Sequence, residues 1–166
     1  LLRQASRSVT AKDWVPGTGI LFRGEKVRLE ASAVSQSYEV RFGDQIIAIN
    51  KVATNPRPVI EKYLWTLAAR ELPMRVLELA KEHQFDVRRV SVRNQRSRWG
   101  SCSRQGTISL NWRLIQTPAF VRDYIILHEL AHLKEMNHSN RFWREVARLC
   151  PDFARAERWL KEHGEL

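Results

Sequence analysis

The apolar positions change rhythm along the chain. Tyr38, Val40 and Phe42 alternate with Glu39 and Arg41, the period of two expected of a half-buried strand. Residues 20–22, 26–30, 38–42 and 45–49 form short segments of this kind, separated by Gly17, Gly19, Gly24 and the Gly43-Asp44 pair. They predict a small antiparallel sheet with tight hairpins. Further on the rhythm becomes helical. Asn55-Pro56 is a helix start, because Asn accepts free backbone N–H groups and proline at the first helical position forfeits nothing. Ile60, Tyr63, Leu64, Leu67 and Ala68 then recur at helical spacing, and the pattern resumes after Pro73 through Leu77 and Ala80. Two joined helices, or one kinked at Pro73, are expected.

Two more strands follow, at 87–93 and 107–111, where Val90 alternates with Val92 and Ile108 with Leu110. Adjacent antiparallel strands joined by the polar loop 94–106 are the expectation, and a loop of that length is often functional. The last third is helical. Thr117-Pro118 opens a helix whose apolar face runs from Phe120 through Val121, Tyr124, Leu127 and Leu130 to about Glu135. Ser139 caps a helix through Phe142, Trp143, Val146 and Leu149. Pro151 stops it, and Asp152 caps a final one through Trp159 and Leu160.

The chain divides on this reading into a basic lead-in (1–12), a β-rich portion (13–55) and a core (56–166), the last two forming one compact domain. At 166 residues it can bury roughly two-thirds of its unfolded surface, so it needs no disulfide merely to fold. No run of about 18 apolar residues exists to span a membrane. The start lacks the apolar stretch of a secretory signal, and Cys102 and Cys150 form no framework. A cytoplasmic, reducing location is the expectation. The first residue is Leu rather than Met, so anything upstream is out of view.

The chemistry gathers at His128-Glu129-Leu130-Ala131-His132. On a helix, positions i and i+4 share a face, so both imidazoles can reach one ion. Glu129 lies about 100° round the helix, able to touch a metal-bound water without ligating the metal. Hydrolysis on zinc needs such a set: neutral nitrogen ligands, an open position and a nearby carboxylate. His138, just past the expected helix end, is placed to return to the ion. The inferred ligands are therefore His128, His132 and His138 for one Zn²⁺ per chain, with Glu129 as the catalytic base. Other divalent metals accept the same nitrogens. A closed structural site, with Cys102 or Cys150 as fourth ligand, is the competing reading.

Three stretches resemble the YgjP-type metallopeptidase-like proteins, a family of predicted zinc-dependent hydrolases. They are Arg98-Trp99-Gly100-Ser101-Cys102-Ser103 with the following Gly106 to Asn111, then Tyr124 to Leu133 around the histidine motif, then Asn137-His138-Ser139 with Phe142-Trp143 and Pro151. The resemblance implies an α+β, zincin-like fold: a small, mostly antiparallel sheet packed on the active-site helix, with further C-terminal helices. It implies zinc on the three histidines, Glu129 as general base, and a likeness to SprT-like and WLM-type proteases. A metallopeptidase is the leading expectation.

Three residues are candidates for transition-state or substrate contacts: Arg98, Asn111 and Tyr124. Residues 107–111 form either an edge strand that pairs with an extended peptide or an interior strand without that role. Charge opens a second possibility. The chain carries a net charge of +10, and residues 87–122 hold eight arginines and no acid. Arg88, Arg89, Arg93, Arg96, Arg104 and Arg113 make a possible anion-binding face, because arginine suits bidentate phosphate contacts. A phosphorylated small molecule such as a nucleoside triphosphate, hydrolysed at its phosphoanhydride, is the alternative substrate. Non-specific nucleic-acid contact is a further possible partnership. No helix-turn-helix or zinc-finger spacing indicates sequence-specific reading.

Overall fold

The computed structural model describes residues 13–34, 37–49, 55–164 and 166. The basic lead-in at 1–12 lies outside the described residues. The β-rich portion is two small sheets rather than one. A hairpin joins β1 (Gly19–Phe22) to β2 (Glu25–Arg28), and a meander runs through β3 (Glu30–Val34), β4 (Ser37–Phe42) and β5 (Gln45–Ile49). The expected strand 26–30 divides at Leu29, whose buried side chain separates β2 from β3. Arg23 and Gly24 turn the hairpin with φ of 52° and 84°, the double positive φ that two-residue loops favour. The same turn docks on the rest of the chain. Arg23 and Gly24 donate their N–H groups to the carbonyls of Ile115 and Gln116, and a Cβ on Gly24 would lie 2.5 Å from Pro118 Cγ.

One helix, α1 (Arg57–Glu82), continues unbroken through Pro73. Ala69, whose carbonyl loses its helical donor there, lies on the exposed side, so water can replace it. Ile60, Leu64, Leu67, Leu72, Val76 and Leu79 form the buried stripe. Asn55 Oδ1 accepts the backbone N–H of Arg57 at 3.1 Å, as a start signal should.

The central sheet corrects the expected pairing. Its strands are β6 (Arg89–Arg93), β7 (Gly100–Cys102) and β8 (Thr107–Asn111), in the order β6-β8-β7. β6 pairs parallel with β8, and β7 pairs antiparallel with it. The presumed loop hides a strand of small residues, which returns through the turn at Arg104 to Gly106. β8 is thus interior and offers no free edge to a peptide.

A 3₁₀ turn (Trp112–Gln116) leads into α2 (Ala119–Ala131), followed by α3 (Asn140–Leu149) and α4 (Phe153–Glu162). Ser139 caps α3 by accepting from Phe142 N at 3.3 Å. Thr117 and Asp152 do not cap: the Thr117 hydroxyl donates to the Leu114 carbonyl, and Asp152 makes no side-chain cap bond. The even-numbered residues of the central sheet, Val90, Val92, Ile108 and Leu110, face the helices, and one hydrophobic core joins them to Ile20, Phe42, Leu72, Ile125 and Leu160. Among the described residues no helix is long and apolar enough to cross a membrane. The architecture is α+β, with small sheets and several helices.

Candidate metal centre

The histidine motif straddles the end of α2. His128 and Glu129 occupy its last turn, and His132 is the capping residue, still in right-handed helical conformation at φ −64° and ψ −19°. That retained geometry keeps the two imidazoles on one face, with ring centroids 5.3 Å apart. The chain then turns, and Ser139 starts α3 immediately after His138. One nitrogen from each of His128, His132 and His138 lies within 4.8 Å of the others. Nε2 of His128 and Nε2 of His138 are 3.4 Å apart. Two nitrogens bound at about 2.0–2.1 Å to a tetrahedral ion lie about 3.3 Å apart, which the His128–His138 pair matches, and small side-chain shifts bring the three rings onto one such ion. Neither cysteine joins it; Cys102 and Cys150 are free thiols.

The protonation states suit ligation. Burial, with the charges of His132 and His138 beside it, pushes His128 down to about 3. Burial also lowers His132, against the backbone bond to Glu135, and lowers His138. All three rings are neutral at pH 7. Nδ1 of His132 lies 3.0 Å from the Glu135 carbonyl, which fixes its proton there and leaves Nε2 for an ion. Nδ1 of His128 is buried without a hydrogen-bond partner, so packing holds that ring.

Phe142 supplies much of the packing. Its ring centroid lies 4.9 Å from His128, 4.4 Å from His132 and 4.8 Å from His138, a floor under the whole cluster. Trp143 adds contacts to His128 and His138. The sequence marks these two aromatics as support for His138; their reach to the other ligands comes from the turn between α2 and α3, which no periodicity reveals.

Glu129 is buried beside Gly100 of β7. A Cβ on Gly100 would lie 2.8 Å from Glu129 Cγ and 2.9 Å from its Oε1. Burial pushes the Glu129 carboxyl up to about 8, and the charge of Arg98 pulls it back. Gly100 is thus a site residue that the sequence reading left without a role; its signal was a lone glycine within the Trp99 to Ser103 stretch.

The other candidates separate. Arg98 is exposed and near enough for its charge to act on Glu129. Asn111 is wholly buried and occupied: its Nδ2 donates to the carbonyls of Gln95 and Arg98, and its Oδ1 accepts from Arg113 N. It pins the loop before β7 instead of presenting a donor to substrate. Tyr124 is also fully buried. Its hydroxyl donates to Glu157 Oε1 at 3.0 Å, tying α2 to α4, and burial raises its ionisation above the usual phenol range. Arg113 leaves the exposed basic set, being half-buried over the Trp112 ring and bonded to Asn94. A cavity of about 890 Å³ between Trp14, Lys26, Trp112 and Leu166 is lined by His163 but by none of His128, His132 and His138.

A YgjP-like metallopeptidase domain matches residues 1–163. The chain belongs to the YgjP-like metallopeptidase family. Comparison with curated proteins returned no match. Among solved structures, the crystal structure of the metallopeptidase zymogen of Pyrococcus abyssi abylysin is similar. It is 26% identical, with 55% of this chain and 94% of that chain covered and a TM-score of 0.48. Family membership and the histidine cluster place the chain among metal-dependent hydrolases of the metallopeptidase kind.

Proposed function

We propose that the chain is a zinc-dependent peptidase in which His128, His132 and His138 hold one Zn²⁺ and Glu129 is the general base. The observation that carries this reading is the convergence of three neutral imidazoles beside a buried carboxyl on the same helix end. When bound, zinc supplies Lewis-acid chemistry, acidifying a water and polarising the oxygen of the scissile bond. The chain's own residues do the rest. Glu129, whose carboxyl burial raises and a cation on the neighbouring imidazoles would lower again, accepts a proton and passes it to the leaving nitrogen. Gly100 admits that carboxyl to its buried position, and His132, bonded to the Glu135 carbonyl, keeps its ligating nitrogen aimed at the ion.

The peptide lies along β7. Residues 99 and 103 bond to β8 through the Trp99 carbonyl and the Ser103 N–H, and Ser101 is in register with Ser109. Antiparallel pairing alternates, so the backbone groups of Gly100 and Cys102 point away from β8. A guest strand pairs there, next to Glu129.

A phosphorylated substrate is favoured by one observation, the exposed guanidinium of Arg98 near Glu129. The experiment offers an unstructured protein and a nucleoside triphosphate to the zinc-loaded chain and to its Glu129→Gln variant. Peptide cleavage that disappears in Glu129→Gln, with one zinc retained per chain, supports the peptidase. Triphosphate turnover without peptide cleavage replaces it with the second reading. Activity undiminished in Glu129→Gln removes Glu129 from the mechanism.

A further inference from the structure

We infer that the outer face of the central sheet, with the arginines at its ends, is a binding surface for the phosphodiester backbone of duplex nucleic acid, outside the histidine cluster and meeting the metal centre only at Arg98. The helices lie against the even-numbered residues of this sheet, so its odd-numbered residues form the opposite face, which is open except where the loop before β7 covers Asn111. There the register sets three serines in one row: Ser91 opposite Ser109, and Ser109 opposite Ser101. The hydroxyls of Ser91 and Ser109 are 2.9 Å apart. Arg89 and Arg93 stand on the same face two residues either side of Ser91, both exposed. Arg88 lies beside the turn that carries Arg104, and Arg96 and Arg98 extend from the loop before β7; all four are exposed.

Among the described residues these six arginines make no ion pair, whereas Arg23, Arg41, Arg75 and Arg148 each meet a carboxylate. Guanidinium groups left without acids on and around one sheet repel one another and cost stability, unless a polyanion completes them. The residues at 1–12 are not that complement, since they carry Arg3, Arg7 and Lys12 and no acid. Hydroxyls and arginines together donate to phosphate oxygens. The face offers no aromatic platform on which unpaired bases would stack, and no helix to enter a groove, so it reads charge and backbone rather than sequence. A duplex presents one charge per about 1.7 Å of axis, a density that six clustered arginines match better than the intermittent charges of an acidic peptide.

The test is fluorescence anisotropy of a labelled random-sequence DNA duplex of about 20 base pairs, titrated with the full chain at several salt concentrations. Six phosphate contacts give a slope of log affinity against log salt of about −5, because each contributes about −0.9. The double variant Arg89→Gln/Arg93→Gln is expected to reduce that slope in magnitude by about 1.8 and to weaken binding at least about tenfold at 50 mM salt. Arg28→Gln/Arg41→Gln, which removes two charges from the N-terminal sheets, keeps the parent slope and affinity. Thermal unfolding of each variant checks that the fold is intact. The inference is overturned if the duplex does not bind at 50 mM salt or if the two double variants weaken binding equally. It is also overturned if polyglutamate at equal charge displaces the duplex as readily as unlabelled DNA does.

Discussion

Gly100 and Glu129 touch so closely that no other residue fits at position 100. The glycine's φ is unexceptional, so space and not backbone freedom requires it. Glu129 can give way only by shifting within the core, because it is 5% exposed on a helix whose neighbours Ile125 and Leu130 are fully buried. Gly100→Ala is therefore expected to destabilise the fold by about 1–3 kcal/mol through overpacking. It should also move the carboxyl and cut turnover by more than tenfold while zinc remains bound. Urea denaturation, metal content and peptide cleavage, measured on one preparation, separate these effects. Full activity in Gly100→Ala would show that the Glu129 carboxyl is not held by this contact.

Phe142 meets all three histidine rings, so its loss is expected to act on the metal more than a cavity elsewhere would. Phe142→Leu keeps an apolar side chain but withdraws the ring face. Hydrogen-bonded outer partners of metal ligands are typically worth about 10–100-fold in metal affinity, and the loss of a packing contact to all three rings is expected to act in the same direction. Val146→Ala, one turn along α3 and equally buried, serves as the comparison. Competition with a zinc chelator should show weakened zinc in Phe142→Leu and near-parent affinity in Val146→Ala. Equal affinities in the two variants would reduce Phe142 to ordinary core.

Local signals in the sequence carried the helices and the ligands, because those depend on short spacings. His128 and His132 needed only the i, i+4 rule, and Ser139 needed only its place before Phe142 and Trp143. The central sheet was not legible in the same way. Gly100, Ser101 and Cys102 show no apolar alternation, since one side of β7 is a glycine pressed on Glu129 and the other is a serine in the hydroxyl row. Without β7 the parallel pairing of β6 with β8 could not be deduced. Asn111 and Tyr124 looked available for chemistry because polarity is visible in a sequence and occupancy is not. Their partners, Gln95, Arg98, Arg113 and Glu157, are fixed only by the tertiary fold.

Glu145 on α3 receives Arg148 at 2.7 Å and Lys134 at 2.8 Å, the latter from the turn that follows His132. The Arg148 bond, helped by Lys134, lowers its carboxyl to about 2 from an ordinary 4.5. A carboxyl lowered on folding stabilises above its unfolded value and loses that contribution as pH falls towards its folded value. Because Arg148 and Lys134 are half exposed, the contribution is about 1 kcal/mol or less. Glu145→Gln is thus expected to lower the urea midpoint at pH 7 slightly, and the difference from the parent should close between about pH 4.5 and pH 2. A difference unchanged at pH 2 would assign the effect to packing rather than charge.

Burial holds His128 at about 3 and lowers His132 and His138 from the ordinary 6.5, so protons compete weakly for the cluster near neutrality. Zinc affinity is expected to fall less from pH 8 to pH 6 than at a site whose imidazoles are all exposed, since His128 and His132 are buried and His138 alone is exposed. The metal-free chain should show the same groups through its stability. The unfolded chain takes up a proton at His128 below about 6.5 and the folded chain does not until about 3, so stability falls as pH falls through that window. The slope from His128 alone is about 1.4 kcal/mol per pH unit. Bound zinc lowers the lower end of the window further, because the ion and the proton exclude each other on the same nitrogen. Chelator competition at pH 8 and pH 6, with urea melts of the metal-free chain between pH 7 and pH 4, measures both. Affinity that drops more than tenfold by pH 6, together with pH-independent stability of the metal-free chain, would mean the rings are hydrated and the cluster is not preformed.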